Sequence, residues 1–238
     1  MAKKTTGKKR KTVGRGFRRI ALRVAAGIVV LILGLVALFS VLNPPTTPYM
    51  AAEARRLGGV DHEWIPMEQI APVMARAAVA AEDARFCQHW GFDVIAIRAA
   101  IDAGGERGAS TITQQVVKNV FLWQGRSWPR KALEAMLTPL VEAFWTKRRI
   151  LEVYLNVAEF GEGVFGIDAA AYAAFRVRPS ELGATQAARL AAVLPNPKGR
   201  SAAAPSATLE RRAAGIRDGA ATIDRDGRAA CFQTAAPG

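Results

Sequence analysis

The amino-acid sequence predicts a mainly α protein with one N-terminal transmembrane helix. Residues 24–42 form a continuous apolar run without a charged side chain, and the segments beyond it repeat apolar residues at helical spacing. We find no stretch of any length with the two-residue period of a strand. The chain has 238 residues, which suits one domain of ordinary size plus an appendage.

The positive charge of the chain is concentrated at its N-terminus. The net charge is +13, but residues 1–23 hold ten Lys or Arg and no acid, so the remainder carries only +3 (13 minus 10). A basic tail on a nearly balanced body is typical of membrane proteins, and it argues against a nucleic-acid partner. Such a tail is also suited to anionic lipid headgroups.

The apolar run itself favours an uncleaved anchor. Its nineteen residues, at about 1.5 Å each in a helix, approach the ~30 Å hydrocarbon core of a bilayer. The alternative is a cleaved signal peptide, which has a shorter apolar region and a small-residue cleavage site. We predict a single-pass protein of the inner (cytoplasmic) membrane, with residues 1–23 as a cytoplasmic tail and the body on the periplasmic side.

The rest of the chain divides into a linker, residues 43–59, and a domain, residues 60–238. The linker begins with a stiff, proline-rich spacer at 43–48, and residues 53–68 show no regular pattern. We predict helices over 67–84, 94–102, 147–156, 167–175 and 209–223. Two further helices are predicted to begin after Ser110 and after Ser127. The second of these presents Leu133, Met136, Leu137 and Leu140 as its buried stripe.

One polar stretch, residues 107–119, lies where a core helix would be apolar. It reads Arg-Gly-Ala-Ser-Thr-Ile-Thr-Gln-Gln-Val-Val-Lys-Asn. With Ser110 as the N-cap, Thr111, Gln114, Gln115 and Lys118 share one broad polar face. A solvated helix face is the alternative interpretation.

Two adjacent carboxylates, Glu82 and Asp83, end an apolar helix. An acid at the edge of a core loses hydration, so its pKa rises, as a general base near neutral pH requires. An exposed helix end is the alternative. His89, with no second histidine nearby in sequence, is predicted to be structural.

These motifs occur together in a fixed order. They are Ala81–Asp93, the stretch 107–119, Arg130–Glu134, Lys147–Asn156 and Arg189–Pro197. The set resembles the peptidoglycan glycosyltransferase domain of glycosyltransferase family 51, and within it the monofunctional biosynthetic transglycosylases. The resemblance covers roughly residues 60–199 and implies a lysozyme-like fold with a cleft between two lobes.

The resemblance also implies the site residues. Glu82 would be the catalytic base and Glu134 the second essential carboxylate, although from its position alone Glu134 could simply pair with Arg130 at i, i+4. Substrate binding would fall to Asp83, Arg98, Ser110, Thr111, Gln114, Gln115, Lys118, Asn119, Arg130, Lys131 and Lys147.

The implied reaction is the polymerisation of lipid II into glycan strands. It forms β-1,4 bonds with inversion at MurNAc C1 and releases undecaprenyl diphosphate. The expected partners are lipid II, the growing strand, the inner membrane and cell-wall synthesis proteins. The expected cofactor is Mg²⁺ or another divalent cation, with no organic cofactor. The alternatives are a membrane-anchored lytic transglycosylase and a non-catalytic cell-wall scaffold.

The chain has two cysteines, Cys87 and Cys231, which form neither a zinc pair nor a redox motif. An even count in an oxidising compartment favours a disulfide between them. The alternative is a buried Cys87 and a free Cys231.

Overall fold

A computed structural model describes residues 9–104, 108 and 110–233. Within these residues the chain is mainly helical, which confirms the predicted fold class. The α-helices are α1 (Lys9–Phe39), α2 (Pro48–Leu57), α3 (Pro72–Glu82), α4 (Val94–Asp102), α5 (Ile112–Phe121), α6 (Trp128–Phe144), α7 (Lys147–Val157), α8 (Gly166–Phe175), α9 (Ala184–Val193) and α10 (Ala207–Arg225). Lys3, Lys4 and Lys8 of the basic tail, and Arg107, lie outside the described residues.

The chain forms two compact units, Met1–Leu42 and Asn43–Gly238. The described part of the first is α1, in which Arg18–Phe39 is long and apolar enough to cross a membrane. This segment starts before the predicted anchor, residues 24–42, and ends three residues earlier. Arginine favours helix, so the helix extends into the basic run without interruption.

The core of the second unit consists of two helical layers. One layer packs α3 against α9 and α10, and the other packs α5 against α6 and α7. Met74 of α3, Leu190 of α9 and Ile223 of α10 are fully buried in the first layer. Val116 of α5 and Leu151 of α7 are fully buried in the second. The C-terminal end of α3 and the N-terminus of α5 meet where these layers join.

A small sheet closes one edge of this unit. It contains β1 (Asp61–His62), β2 (Glu159–Gly161) and β3 (Val164–Phe165), in the order β1-β3-β2. The β2–β3 pair is antiparallel and β1 runs parallel to β3. Strands of two or three residues are too short to show a period in sequence, which is why no strand was predicted here.

Two helix predictions were partly wrong. The segment 53–68, predicted to be irregular, includes the end of α2, which Thr47 caps by accepting from the Met50 N–H. The helix predicted over 67–84 is instead a 3-10 turn, Met67–Gln69, followed by α3 from Pro72. Pro72 accounts for the break, because a proline is tolerated in the first turn of a helix but not in its interior.

The buried face of α6 was predicted wrongly. Leu133 is 36% exposed and Met136 is 68% exposed, and only Leu137 of the expected stripe is buried. The buried positions are mostly polar instead: Arg130, Glu134, Thr138 and Glu142 recur at intervals of four. The helix turns its polar face inward because these side chains find hydrogen-bond partners there, as described below.

Candidate active site

Asp83 fastens the start of α5 to the end of α3. Its side chain is 1% exposed, its Oδ2 accepts from the Ile112 N–H at 3.1 Å, and its Oδ1 lies 2.8 Å from His89 Nε2. A carboxylate at a helix N-terminus satisfies an orphan N–H group and complements the helix dipole. Asp83 is therefore a structural support for the site, and His89 has the structural role predicted for it.

The helix α5 begins one residue later than predicted. Thr111, not Ser110, is the N-cap, because its hydroxyl accepts from the Gln114 N–H at 3.2 Å while Gln114 Oε1 accepts from the Thr111 N–H at 3.1 Å. This capping box occupies Gln114, which is buried. Ser110 stays outside the helix and exposed, 3.4 Å from Lys131 Nζ.

Glu82, the last residue of α3, is largely buried beside α5. Its side chain is 13% exposed, and its Oε2 accepts from Gln115 Nε2 at 2.8 Å. Burial raises the pKa of the Glu82 carboxyl above its ordinary value of 4.5, and Asp83 raises it further. The Gln115 hydrogen bond and the nearby Arg212 and Lys118 oppose that shift in pKa. The direction of the predicted shift in the pKa of Glu82, upward, is thus confirmed.

This raised pKa predicts an effect of Glu82→Gln on stability. Because the folded state raises the pKa, it favours the protonated carboxyl, and the resulting stabilisation is complete below the unfolded pKa and is lost as pH rises through the folded pKa. The neutral amide should therefore leave the melting temperature unchanged near pH 4 and raise it at pH 8. Melting curves of both proteins across this range would test the sign; a lower melting temperature for the variant at pH 8 would contradict it.

Gln115 links Glu82 to a buried tyrosine. Tyr154 of α7 is fully buried, and its hydroxyl lies 3.5 Å from Gln115 Oε1. The phenol can donate to that oxygen, which leaves the amide N–H₂ of Gln115 directed at Glu82. The carboxylate thus has a fixed donor on one oxygen and Arg212 Nη2 at 3.8 Å from the other.

A cationic cavity of about 400 Å³ lies on the other side of Gln115. Its lining residues are Ser110, Gln114, Gln115, Lys118, Gln124, Gly125, Arg126, Arg130, Lys131 and Glu134. Among these described residues, four side chains are cationic and one is a carboxylate. An excess of fixed positive charge in a concave site favours an anionic ligand.

Glu134 holds two of these cations in place. Its side chain is 4% exposed, and its two oxygens pair with Arg130, at 2.8 Å from Nη1, and with Lys131. Arg130 also donates from Nε to the Gly125 carbonyl at 2.8 Å. Because both oxygens are occupied, Glu134 serves to position cations and is not available as a proton acceptor in this arrangement.

Lys118 differs from Arg130 and Lys131 in having no ion-pair partner among the described residues. No described carboxylate lies within ion-pair range of Lys118 Nζ, although Glu134 and Glu82 are both close enough to influence it. Burial lowers the pKa of Lys118, and the positive charges of Arg130 and Lys131 lower it further. A desolvated ammonium with no carboxylate in ion-pair range is well placed to bind an anion.

Two smaller cavities adjoin the cationic one. A cavity of about 290 Å³ is lined by Glu82, Asp83, Arg85 and Ser110 among others, so Ser110 lines both this cavity and the cationic one. A cavity of about 190 Å³ shares Gln115 and Lys118 with the cationic one. Asn119 lines this cavity of about 190 Å³; it is buried and accepts from Gln124 at 3.2 Å.

Two predicted site residues lie apart from the rest. Arg98 is exposed on α4 and lines none of these three cavities. Lys147 donates to Glu142 Oε1 at 2.8 Å and lies 4.4 Å from the centre of the Phe86 ring. Glu142, with its side chain 2% exposed, also accepts from Thr113 at 2.6 Å, so Lys147 belongs to a buried structural network.

Four residues of the site were missed. Arg212 and Tyr154 come from α10 and α7 and act on Glu82 through the packing of distant segments, which no local pattern reveals. Arg126 lines the cationic cavity from the connection before α6, and Arg85 lines the cavity around Glu82. Arg85 lies within the Ala81–Asp93 motif, where its positive charge was an available signal, whereas Arg126 lies outside the motifs.

The described residues do not fit a protein-held Mg²⁺. Asp83, His89 and Asp93 could each offer one ligand atom within 4.8 Å of one another. However, both oxygens of Asp83 are bonded as described above, and those of Asp93 accept from Arg85, at 2.9 Å from Nε, and from the Ala96 N–H at 2.9 Å. Mg²⁺ requires a near-octahedral set of oxygens, and a histidine nitrogen with occupied carboxylates does not supply it.

A largely buried carboxylate next to a cationic cavity, on a helical domain, defines an enzyme site for acid–base chemistry on an anionic substrate. The family model described as Transglycosylase matches residues 51–220. The chain therefore belongs to the transglycosylase family.

Curated relatives agree with this assignment. A protein named biosynthetic peptidoglycan transglycosylase from Jannaschia sp. (strain CCS1) is 57% identical over 92% of this chain and 92% of the relative. Proteins of the same name from Rhodospirillum centenum and Salmonella arizonae are 47% and 49% identical. They match over 92% and 82% of this chain, and over 97% and 86% of their own lengths. The family predicted from the motifs is confirmed.

Proposed function

We propose that this chain is a biosynthetic peptidoglycan transglycosylase that polymerises lipid II into glycan strands. The observation that carries the proposal is the position of Gln115, which donates to Glu82 and also lines the cationic cavity. A candidate base and a site for an anionic leaving group are therefore separated by one side chain. The names of the relatives supply the substrate class.

In the proposed reaction, the 4-hydroxyl of the acceptor GlcNAc lies in the cavity lined by Glu82 and Ser110. The hydroxyl proton passes to the Glu82 carboxylate as the oxygen forms a bond to C1 of the donor MurNAc. The bond from C1 to the diphosphate oxygen breaks, and undecaprenyl diphosphate leaves with the electron pair. Attack opposite an α-linked leaving group gives the β-1,4 bond with inversion.

The cationic cavity suits the leaving diphosphate. Charge that develops on a phosphate oxygen is stabilised by fixed cations, and no high-pKa acid is needed to protonate it. Lys118, Arg130 and Lys131 supply that charge from two helices. Glu134 fixes two of them, so the cavity is organised before substrate arrives.

This cavity also favours polymerisation over the two alternatives. A lytic transglycosylase cleaves a neutral glycan, which offers no anionic leaving group for four cations. A non-catalytic scaffold needs no desolvated carboxylate, whose burial costs stability.

The deciding experiment is incubation of the purified full-length protein with labelled lipid II, and separately with finished glycan strands. We expect lipid II to be converted to polymer with release of the diphosphate lipid, and the finished strands to stay intact. Cleavage of the strands without polymerisation would establish a lytic enzyme, and neither reaction would support the scaffold.

The expected divalent cation has no binding site made by the described acids alone. Because the described acids do not form a cage for it, we propose that Mg²⁺ would accompany the diphosphate, held by phosphate oxygens and water.

We further propose that the catalytic unit lies on the periplasmic side of the inner membrane. The basic residues before Val24 favour a cytoplasmic N-terminus, and lipid-linked substrates are confined to the membrane surface. Protease accessibility of the domain in spheroplasts would test the orientation.

Lys118→Ala should weaken use of the lipid-linked donor. Loss of one charge-assisted contact, at about 1.5–3 kcal/mol, corresponds to a fall in kcat/KM of roughly 10- to 150-fold. The measurement is polymerisation rate against lipid II concentration. Lys118→Arg should retain part of the activity, and Arg217→Ala, which removes an exposed cation from α10, should match the wild type. An unchanged kcat/KM for Lys118→Ala would exclude this role.

A further inference from the structure

The C-terminal segment Gly227–Gln233 returns to the loop that follows Glu82. This segment comes after α10 and lies beyond residue 220, where the family match ends. We call it the C-terminal clamp, and we call residues 83–89 the Glu82 loop. Three separate contacts join the two.

The first contact is a hydrogen bond and the second is covalent. Arg228 donates from Nη1 to the Ala84 carbonyl at 3.0 Å, two residues after Glu82. Cys231 forms a disulfide with Cys87, with Cα atoms 5.7 Å apart. The disulfide favoured from the cysteine count is thus present, and it joins positions 144 residues apart in the chain.

The third contact is apolar. Phe232 is 1% exposed and packs on Phe86, which is fully buried, with ring centroids 6.2 Å apart. The backbone of the clamp is held in turn, since Arg148 donates to the Phe232 carbonyl at 3.0 Å. Gln233 donates to the Pro72 carbonyl at 2.7 Å, at the start of the helix that ends on Glu82.

The Glu82 loop carries the residues that orient the proposed site. It begins at Asp83, which holds the N-terminus of α5, and ends at His89, which contacts Asp83. Between them, the only helical turn is the three-residue 3-10 turn Phe86–Gln88. A loop with so little regular structure of its own depends on outside contacts for its conformation.

We propose that the C-terminal clamp positions the Glu82 loop for catalysis, and that the Cys87–Cys231 disulfide makes this positioning dependent on oxidation. The proposal rests on the function proposed above. Cys87, Cys231 and Arg228 are positioning residues, since they act through the loop and not on the substrate.

The physical basis is geometric. A displacement of about 1 Å in a catalytic group can cost on the order of 10²-fold in rate. Reduction transfers two electrons and two protons to the two sulfurs, while the dithiol reductant closes to its own disulfide. Without the covalent link, two of the three contacts between the clamp and the loop remain, the Arg228 hydrogen bond and the Phe232 packing. The loop then gains conformations in which Glu82 and Asp83 are misaligned.

The test uses the full-length protein and labelled lipid II, assayed well below the melting temperature of each form. Reduction of the wild type with dithiothreitol, and the double change of Cys87→Ala with Cys231→Ala, should each lower kcat about 10-fold with a smaller change in KM. Reoxidation should restore the wild type, and dithiothreitol should not affect the double variant. A lower melting temperature with unchanged kcat would show a merely stabilising disulfide and overturn the proposal.

A second comparison leaves the disulfide intact. Arg228→Ala removes the donor to the Ala84 carbonyl and should lower kcat about 3- to 5-fold, as expected for the loss of one hydrogen bond to a neutral acceptor. Arg225→Ala is the control, because it removes a cation from the end of α10 whose one described side-chain hydrogen bond is to Thr222. This variant should keep the kcat of the wild type. Equal rates for both would count against the clamp. Failure of the oxidised wild type to polymerise lipid II at all would instead refute the proposed function.

Discussion

Glu82→Gln is expected to abolish polymerisation while the protein stays folded. Loss of a general base typically costs about 10²–10⁴-fold in rate. The amide is nearly isosteric with the carboxyl, so Gln115 retains an oxygen acceptor, and the cationic cavity is untouched. Lipid II binding should therefore remain close to that of the wild type.

The measurements are initial rates with labelled lipid II and binding to a non-polymerising substrate analogue. Glu162→Gln is a matched control, because Glu162 is an exposed acid paired with Arg56 far along the chain from the site. Polymerisation at near-wild-type rate by Glu82→Gln would refute the assignment of the base.

Glu134→Gln should combine a large loss of activity with a loss of stability. The amide leaves Arg130 and Lys131 without their shared negative partner. Removal of one member of a buried ion pair typically costs about 3–5 kcal/mol, and we expect about 2–3 kcal/mol here because the amide keeps one acceptor oxygen and Lys131 is part-exposed. With the two cations no longer at fixed positions, kcat/KM should fall at least about 10²-fold.

Denaturant unfolding and polymerisation rates would be measured on the same preparations. Glu181→Gln is the control, since its pair with Arg178 is on the surface and should contribute little. If Glu134→Gln lost stability but kept its kcat/KM, the carboxylate would be structural alone. Glu134→Asp preserves the charge on a shorter side chain. Compared with Glu134→Gln, it should recover more of the stability than of the activity.

Local features of the fold were predictable where the signal lies within a few residues. The bounds of α4 match those predicted, and α7 begins at the predicted Lys147, because periodic apolar residues are bracketed by caps. The N-cap of α5 was placed one residue too early because Ser110 and Thr111 are equally good caps in sequence. The structure distinguishes them through the capping box of Thr111 with Gln114 and the hydrogen bond from Thr111 to the Gly91 carbonyl at 2.7 Å.

Features that depend on distant packing were not predictable. Lys147 lies in a recognised motif yet pairs with a buried acid, Glu142, that carries no sequence signal of its own. The approach of Arg212 to Glu82 joins residues 130 positions apart in the chain. The assignment of the site thus came from the family motifs, and its electrostatics came from the tertiary structure.

Helix α6 buries polar side chains and exposes large apolar ones. Trp128 is 88% exposed and Met136 is 68% exposed, so neither contributes much to burial on folding. In water, exposed apolar side chains of this size lower the solubility of a protein. Detergent or lipid molecules can cover them and remove that cost. Deletion of the N-terminal helix alone would therefore leave a domain that still favours detergent or lipid during purification.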